Sequence, residues 1–219
     1  MIMINEPQGS REWLEARAGV ITASRFCDAR ATLSRATKNG KAGDPAGKSI
    51  EYAWQVALER IAGEPVSPAL ETWQMRRGNE LEPEARMTYE AATGLLATEE
   101  GLILTDDRAF GYSTDGQIGD DGLIEIKCPA NCQTIGDIWS DPENSATEYI
   151  DQIQGGLWIT GRKWCDFVMY CPWLETVGKE MFRRRIERDE AYIGELERDL
   201  LAFRRLVERY ETLLRTDAD

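Results

Sequence analysis

The sequence predicts an α/β (α+β) chain in which a central mixed β-sheet is flanked by helices. Three observations carry that class. Residues 109–128 read as a hairpin, with strand-like runs near 109–118 and 123–128 flanking the reversal Gly119-Asp-Asp-Gly122. Trp164–Cys171 and Glu180–Glu187 read as two further strands, a second hairpin that completes the sheet. Around them lie stretches with helical spacing. The longest, 190–215, carries an apolar stripe of Tyr192, Leu196, Leu200, Phe203, Leu206, Val207, Tyr210 and Leu214. A length of 219 residues and an apolar fraction of 42% suit a single domain, 1–219, with a substantial core.

The elements follow in order. Ser10–Arg17 predicts a short helix capped by Ser10 and ended before Gly19. Thr22 or Ser24 is placed to cap a second helix reaching about Arg30. The polar, glycine-rich stretch 34–49 predicts a mobile loop whose Lys38, Lys41 and Lys48 either track an anionic backbone or are simply solvated. A helix near 49–62 ends at Gly63 and Pro65, and a second over 69–92 contains Gly78 and Pro83 as signs of a break and closes at Gly94. A strand near 101–105 leads into the first hairpin. After Pro129 come a short helix near 133–139, a polar loop over 140–146, and a helix over 147–160 with Tyr149, Ile153 and Leu157 on one face. Alternation splits the basic run Arg183-Arg-Arg185 between two faces of its strand.

Chemistry concentrates in the first hairpin. Leu123, Glu125 and Lys127 share one side of its second strand, and Ile124, Ile126 and Cys128 the other. With Ile126 facing the core, Glu125 and Lys127 project together from the sheet, and Asp115 on the partner strand meets them. Two carboxylates and an ammonium at one sheet edge are costly unless something binds there. A hard divalent cation such as Mg²⁺ would satisfy the carboxylates, with Mn²⁺ able to substitute, and Lys127 could orient or deprotonate an attacking water. Of six lysines, only Lys127 belongs to a Glu-x-Lys, which sets it apart from an ordinary solvated strand face.

Composition excludes a good deal. The chain has no histidine, so Ser-His-Asp and Cys-His nucleophile systems are impossible, and any general base is a carboxylate, a lysine or hydroxide on a cation. The five cysteines are odd in number and form no Cys-x-x-Cys pair, which argues against structural zinc and for buried free thiols. No apolar run approaches the ~20 residues of a membrane helix. The N-terminus lacks the basic segment and apolar core of a signal peptide, so a cytoplasmic protein is expected. The net charge of −13 at first opposes nucleic acid, but it is uneven: residues 1–78 are net +2, 79–151 net −14, and 152–219 net −1. The 20 arginines favour phosphate contacts over the 6 lysines.

Five blocks in order carry a resemblance: Arg17-Ala-Gly-Val-Ile-Thr-Ala-Ser24, Gly78-Asn-Glu-Leu-Glu-Pro-Glu-Ala-Arg86, Ser113-Thr-Asp-Gly116, Glu125-Ile-Lys-Cys-Pro129 and Tyr149-Ile-Asp-Gln-Ile-Gln154. Together they are similar to the lambda exonuclease family, also called YqaJ-type viral recombinases, within the PD-(D/E)XK nuclease superfamily. The likeness spans about 10–215. It implies a restriction-endonuclease-like core with an N-terminal helical DNA-binding portion and a long C-terminal helix. It also implies Mg²⁺-dependent 5′-to-3′ digestion of one strand of linear double-stranded DNA, leaving a 3′ single strand.

By that resemblance Asp115, Glu125 and the Ile126 backbone carbonyl would hold the cation, Glu82 would support a second, and Lys127 would position or activate water. Arg17, with Ser24 nearby, would bind a 5′-phosphorylated end. A glutamine of the last block would position the lysine or the strand, Gln154 being the nearer counterpart and Gln152 the second. The family's partners would be a ring-shaped homotrimer and a single-strand annealing protein, in a bacterial host or phage-infected cell. Thr114 departs from the proline common in the superfamily, at a position with no assigned side-chain chemistry. A structure- or sequence-specific endonuclease with the same site chemistry is the alternative.

Overall fold

The structure, a computed structural model, describes residues 1–38, 40–66 and 72–216. Within them the chain runs β1 (Ile2–Ile4), α1 (Arg11–Arg17), β2 (Ile21–Thr22), α2 (Phe26–Ala29), α3 (Gly47–Ala62), α4 (Trp73–Thr93), β3 (Ala97–Thr98), β4 (Leu102–Leu104) and β5 (Phe110–Ser113). It continues through β6 (Gly116–Ile118), β7 (Gly122–Lys127), α5 (Cys132–Ser140), α6 (Ile150–Thr160), β8 (Trp164–Tyr170), β9 (Met181–Glu187) and α7 (Glu190–Arg215). Local chemistry sets many of the boundaries. Ser10, Thr72 and Asp189 accept from backbone N–H groups as helix caps, and left-handed Gly63, Gly94 and Gly161 close α3, α4 and α6. The expected start of α4 at 69 falls on 67–71, outside the described residues.

The mixed α/β class holds, but the strands divide into two sheets. One has the order β1-β4-β5-β2 and the other β3-β6-β7-β8-β9. Each contains one parallel pair, β2 with β5 and β7 with β8. The single strand expected over 109–118 is therefore two, one in each sheet. Thr114 breaks it: its hydroxyl accepts from the Gly116 N–H (3.1 Å) and donates to the Gly116 carbonyl (2.8 Å). A side chain that bonds its own backbone in this way competes with the ladder.

Strand β7 is covered on both faces. Leu123 belongs to a core shared by both sheets and by α2, α3, α6 and α7, while Ile124 and Ile126 pack with Ala85 and Tyr89 of α4. Glu125, expected to project from the sheet together with Lys127, is fully buried. The second helix also differs. Ala23–Arg25 forms a 3₁₀ turn before α2, and Thr22 makes no capping bond. Residues 147–149 are a 3₁₀ turn leading into α6.

The buried carboxylate of Asp166 ties β8 to β9 and to α4. Asp166 of β8 accepts from Arg185 (2.8 and 2.9 Å) and from the Tyr89 hydroxyl (2.7 Å). Of the cysteines, Cys165 and Cys171 are buried as expected, but Cys27 and Cys132 are exposed. Among the described residues no helix is long and apolar enough to cross a membrane.

Candidate active site

Asp115 sits at the break between β5 and β6, where the chain passes from one sheet to the other. Its Oδ2 accepts from the Ile126 N–H at 2.7 Å, which ties it to β7 beside Glu125. Glu125 has both oxygens engaged. Oε1 accepts from Lys127 Nζ and from Gln152 Nε2, each at 2.5 Å, and Oε2 accepts from the Tyr112 hydroxyl at 3.1 Å. The Lys127 ammonium also lies 5.3 Å from the centre of the Tyr149 ring.

These groups open onto a cleft of about 530 Å³. Its walls include Arg17, Ser24, Glu82, Asp115, Glu125, Ile126, Lys127 and Gln152. Arg17, at the end of α1, donates to Thr22 Oγ1 (3.0 Å) and Ser24 Oγ (3.4 Å) and lies over the Trp13 ring. No carboxylate pairs with it among the described residues. Burial pulls its guanidinium down from the ordinary value, so an anion entering here finds a desolvated, unneutralised cation. Glu82 enters from α4, where Arg86 holds it at 2.7 Å.

The electrostatics crowd carboxyl groups in the cleft and disfavour ionising all of them. Burial pushes the Asp115 carboxyl well above the carboxylate range, and the charge of Glu125 adds to that. Burial and Glu125 likewise raise Glu82. Burial works against the Lys127 ammonium, but Glu125 and Asp115 outweigh it and raise its pKa. In this arrangement Lys127 is a cationic donor. Burial pushes the Cys128 thiol up to about 12.

The residues present fit a hard divalent cation. Every candidate ligand is an oxygen, and like charges among buried carboxylates are relieved by a cation. Among the described residues no three acidic, cysteine or histidine groups already converge as a ligand cluster. The oxygens of Glu125 are turned to Lys127, Gln152 and Tyr112.

The two glutamines exchange rank. Gln154 lies away from the cleft: its Nε2 donates to the Glu187 carbonyl (2.8 Å) and its Oε1 accepts from the Asp189 N–H (3.0 Å), at the junction of β9 and α7. Gln152 is the one beside Glu125. Two residues apart on a helix, the pair points in different directions, and sequence alone offered no sign of which faced the strand. Sequence reasoning also missed Tyr112, Tyr149 and Trp13. The Trp13 indole N–H is buried in the cleft wall with no hydrogen-bond partner among the described residues, and its position four residues before Arg17 on α1 was the available signal.

Residues 12–163 match the model of the YqaJ-like viral recombinase domain. The chain is also similar to the crystal structure of an alkaline exonuclease from Laribacter hongkongensis, with 39% identity, a TM-score of 0.77, and coverage of 94% of this chain and 96% of that one. The same enzyme in complex with dAMP aligns at 38% identity and a TM-score of 0.79, with the same coverage. A phage-related exonuclease from Haemophilus somnus shares the fold at 14% identity and a TM-score of 0.68, over 89% of this chain and 94% of that one. No curated protein matches the chain.

Proposed function

The chain belongs to the YqaJ-like viral recombinase family, and on that footing we propose that it is a Mg²⁺-dependent 5′-to-3′ exonuclease. It digests one strand of linear double-stranded DNA and leaves a 3′ single-stranded overhang for recombination by single-strand annealing. The observation that carries this reading is the convergence of Asp115, Glu125, Lys127 and Arg17 on one cleft. The similarity to an alkaline exonuclease and to its complex with dAMP supports it.

Asp115, Glu125 and the Ile126 carbonyl would hold the cation, with Glu82 available to a second. When bound, it neutralises charge on the scissile phosphate and on the leaving oxygen. Lys127, as an ammonium, donates to a phosphate oxygen and orients the attacking water. Gln152 holds Glu125, and Arg17 with Ser24 takes the 5′-terminal phosphate. An annealing protein as partner, a ring-shaped trimer around the duplex and a cytoplasmic setting complete the proposal.

Digestion of end-labelled linear duplex with and without a 5′-phosphate, in Mg²⁺ or EDTA, tests it. We expect complete loss in EDTA and in Lys127→Ala, and a preference for phosphorylated ends that weakens in Arg17→Ala. Equal rates on both ends in the wild type remove the role given to Arg17. Cleavage of a covalently closed circle replaces the exonuclease with an endonuclease.

A further inference from the structure

Helix α4 presents two faces beside the cleft. Gln74, Met75 and Gly78 line it, and the adjacent face carries Trp73 and Arg77, one helical turn apart. Arg77 joins that second face to the end of β7. Its guanidinium donates to the carbonyls of Cys128 (2.8 Å) and Pro129 (3.3 Å), two residues of the cleft wall. The same guanidinium lies 4.6 Å from the centre of the Trp173 ring. Both indoles stand in solvent, Trp73 and Trp173 each being 58% exposed. No carboxylate pairs with Arg77 among the described residues.

We propose that Trp173, Arg77 and Trp73 form a platform on which the unpaired bases of single-stranded DNA stack beside the cleft. An apolar partner would cover the indoles but bury the guanidinium without a counter-charge. A simple anion would pair with the guanidinium and leave the rings in water. A strand of unpaired nucleotides supplies flat π faces for the rings and phosphates for the cation. Arg77 covers one side of the Trp173 ring and leaves the other side for a base. The choice of strand rests on the proposed reaction: removing one strand of a duplex leaves its complement unpaired next to the cleft wall that Arg77 holds.

The test is binding without turnover. A labelled oligo(dT) of about a dozen nucleotides, with a 5′-hydroxyl end, is titrated in EDTA and followed by fluorescence anisotropy. An abasic strand of the same length carries the phosphates without the bases. The wild type should bind oligo(dT) at least about fivefold more tightly than the abasic strand. Equal affinities overturn the proposal without any variant. Trp173→Ala should weaken oligo(dT) binding about fivefold or more, leave the abasic strand unaffected, and be rescued by Trp173→Phe, which keeps an aromatic face. Trp73→Ala should act in the same direction. Circular-dichroism melts check that the variants are folded. Unchanged oligo(dT) binding in both alanine variants overturns the proposal. If Trp173→Ala instead changes the sedimentation of the protein and not its affinity for oligo(dT), the surface is a contact between copies of the chain and the platform is excluded. Failure to digest duplex in Mg²⁺ would sink the proposed reaction and leave these binding results standing.

Discussion

Gln152 and Gln154 show what a single side chain decides. Gln152 is one of three donors to Glu125, at 2.5 Å, whereas Gln154 joins β9 to α7 through the Glu187 carbonyl and the Asp189 N–H. Their alanine variants should therefore separate by assay. Gln152→Ala should lower kcat about 10–100-fold with little change in melting, because it releases a group that orients a ligand. Gln154→Ala should cost about 1–2 kcal/mol in a urea titration, because it strands buried polar groups, while kcat stays near the wild type. A kcat loss confined to Gln154→Ala would reverse the assignment. At this scale the sequence was legible where residue type and order are distinctive. The Asp115, Glu125 and Lys127 set stands out against six lysines and no histidine. It was silent on Tyr112, because a tyrosine in an apolar strand is indistinguishable from core until the opposing helix is in place.

Helix α6 brings Gln152 to the strand, and it does so by lacking side chains one turn later. A Cβ at Gly155 would meet the Phe26 ring at 2.5 Å, and one at Gly156 the Tyr112 ring at 2.7 Å. Gly156→Ala gains helix propensity but overpacks a buried aromatic, so a net destabilisation of about 1–3 kcal/mol is expected. Gly194 of α7 is the opposite case. It is exposed, and a methyl group added there would meet nothing within 4 Å, so Gly194→Ala should stabilise by up to about 1 kcal/mol. Chemical denaturation of both variants checks the signs, and equal effects would mean that α6 has room to withdraw. Periodicity gave α7 its full span, because a long stripe outweighs local ambiguity. It failed at 109–118, because alternation continues across Thr114 and Asp115 while the hydrogen bonds change sheets.

For the molecule as a whole, the question is how a chain of net charge −13 takes hold of a polyanion. The acidity is concentrated between 79 and 151, the segment that supplies Glu82, Asp115 and Glu125 to the cleft wall. Opposite them Arg17 stands without a carboxylate partner among the described residues, so the cleft carries both an attractive and a repulsive end for phosphate. DNA binding should then depend on what neutralises the acidic end. Asp115→Asn keeps an acceptor for the Ile126 N–H and removes the charge that the carboxyl carries above its raised pKa, which relieves a repulsion of about 1 kcal/mol or more at contact distance. In EDTA, at a pH above that raised pKa, this variant should bind a 5′-phosphorylated duplex about fivefold tighter than the wild type does, by fluorescence anisotropy, while hydrolysis in Mg²⁺ is lost. The gain should shrink when a divalent cation is added, because the wild-type carboxylates are then neutralised by it and no longer repel the strand. Equal or weaker binding by Asp115→Asn in EDTA would mean that phosphate does not approach the acidic wall, and that the DNA path runs past the cleft rather than through it.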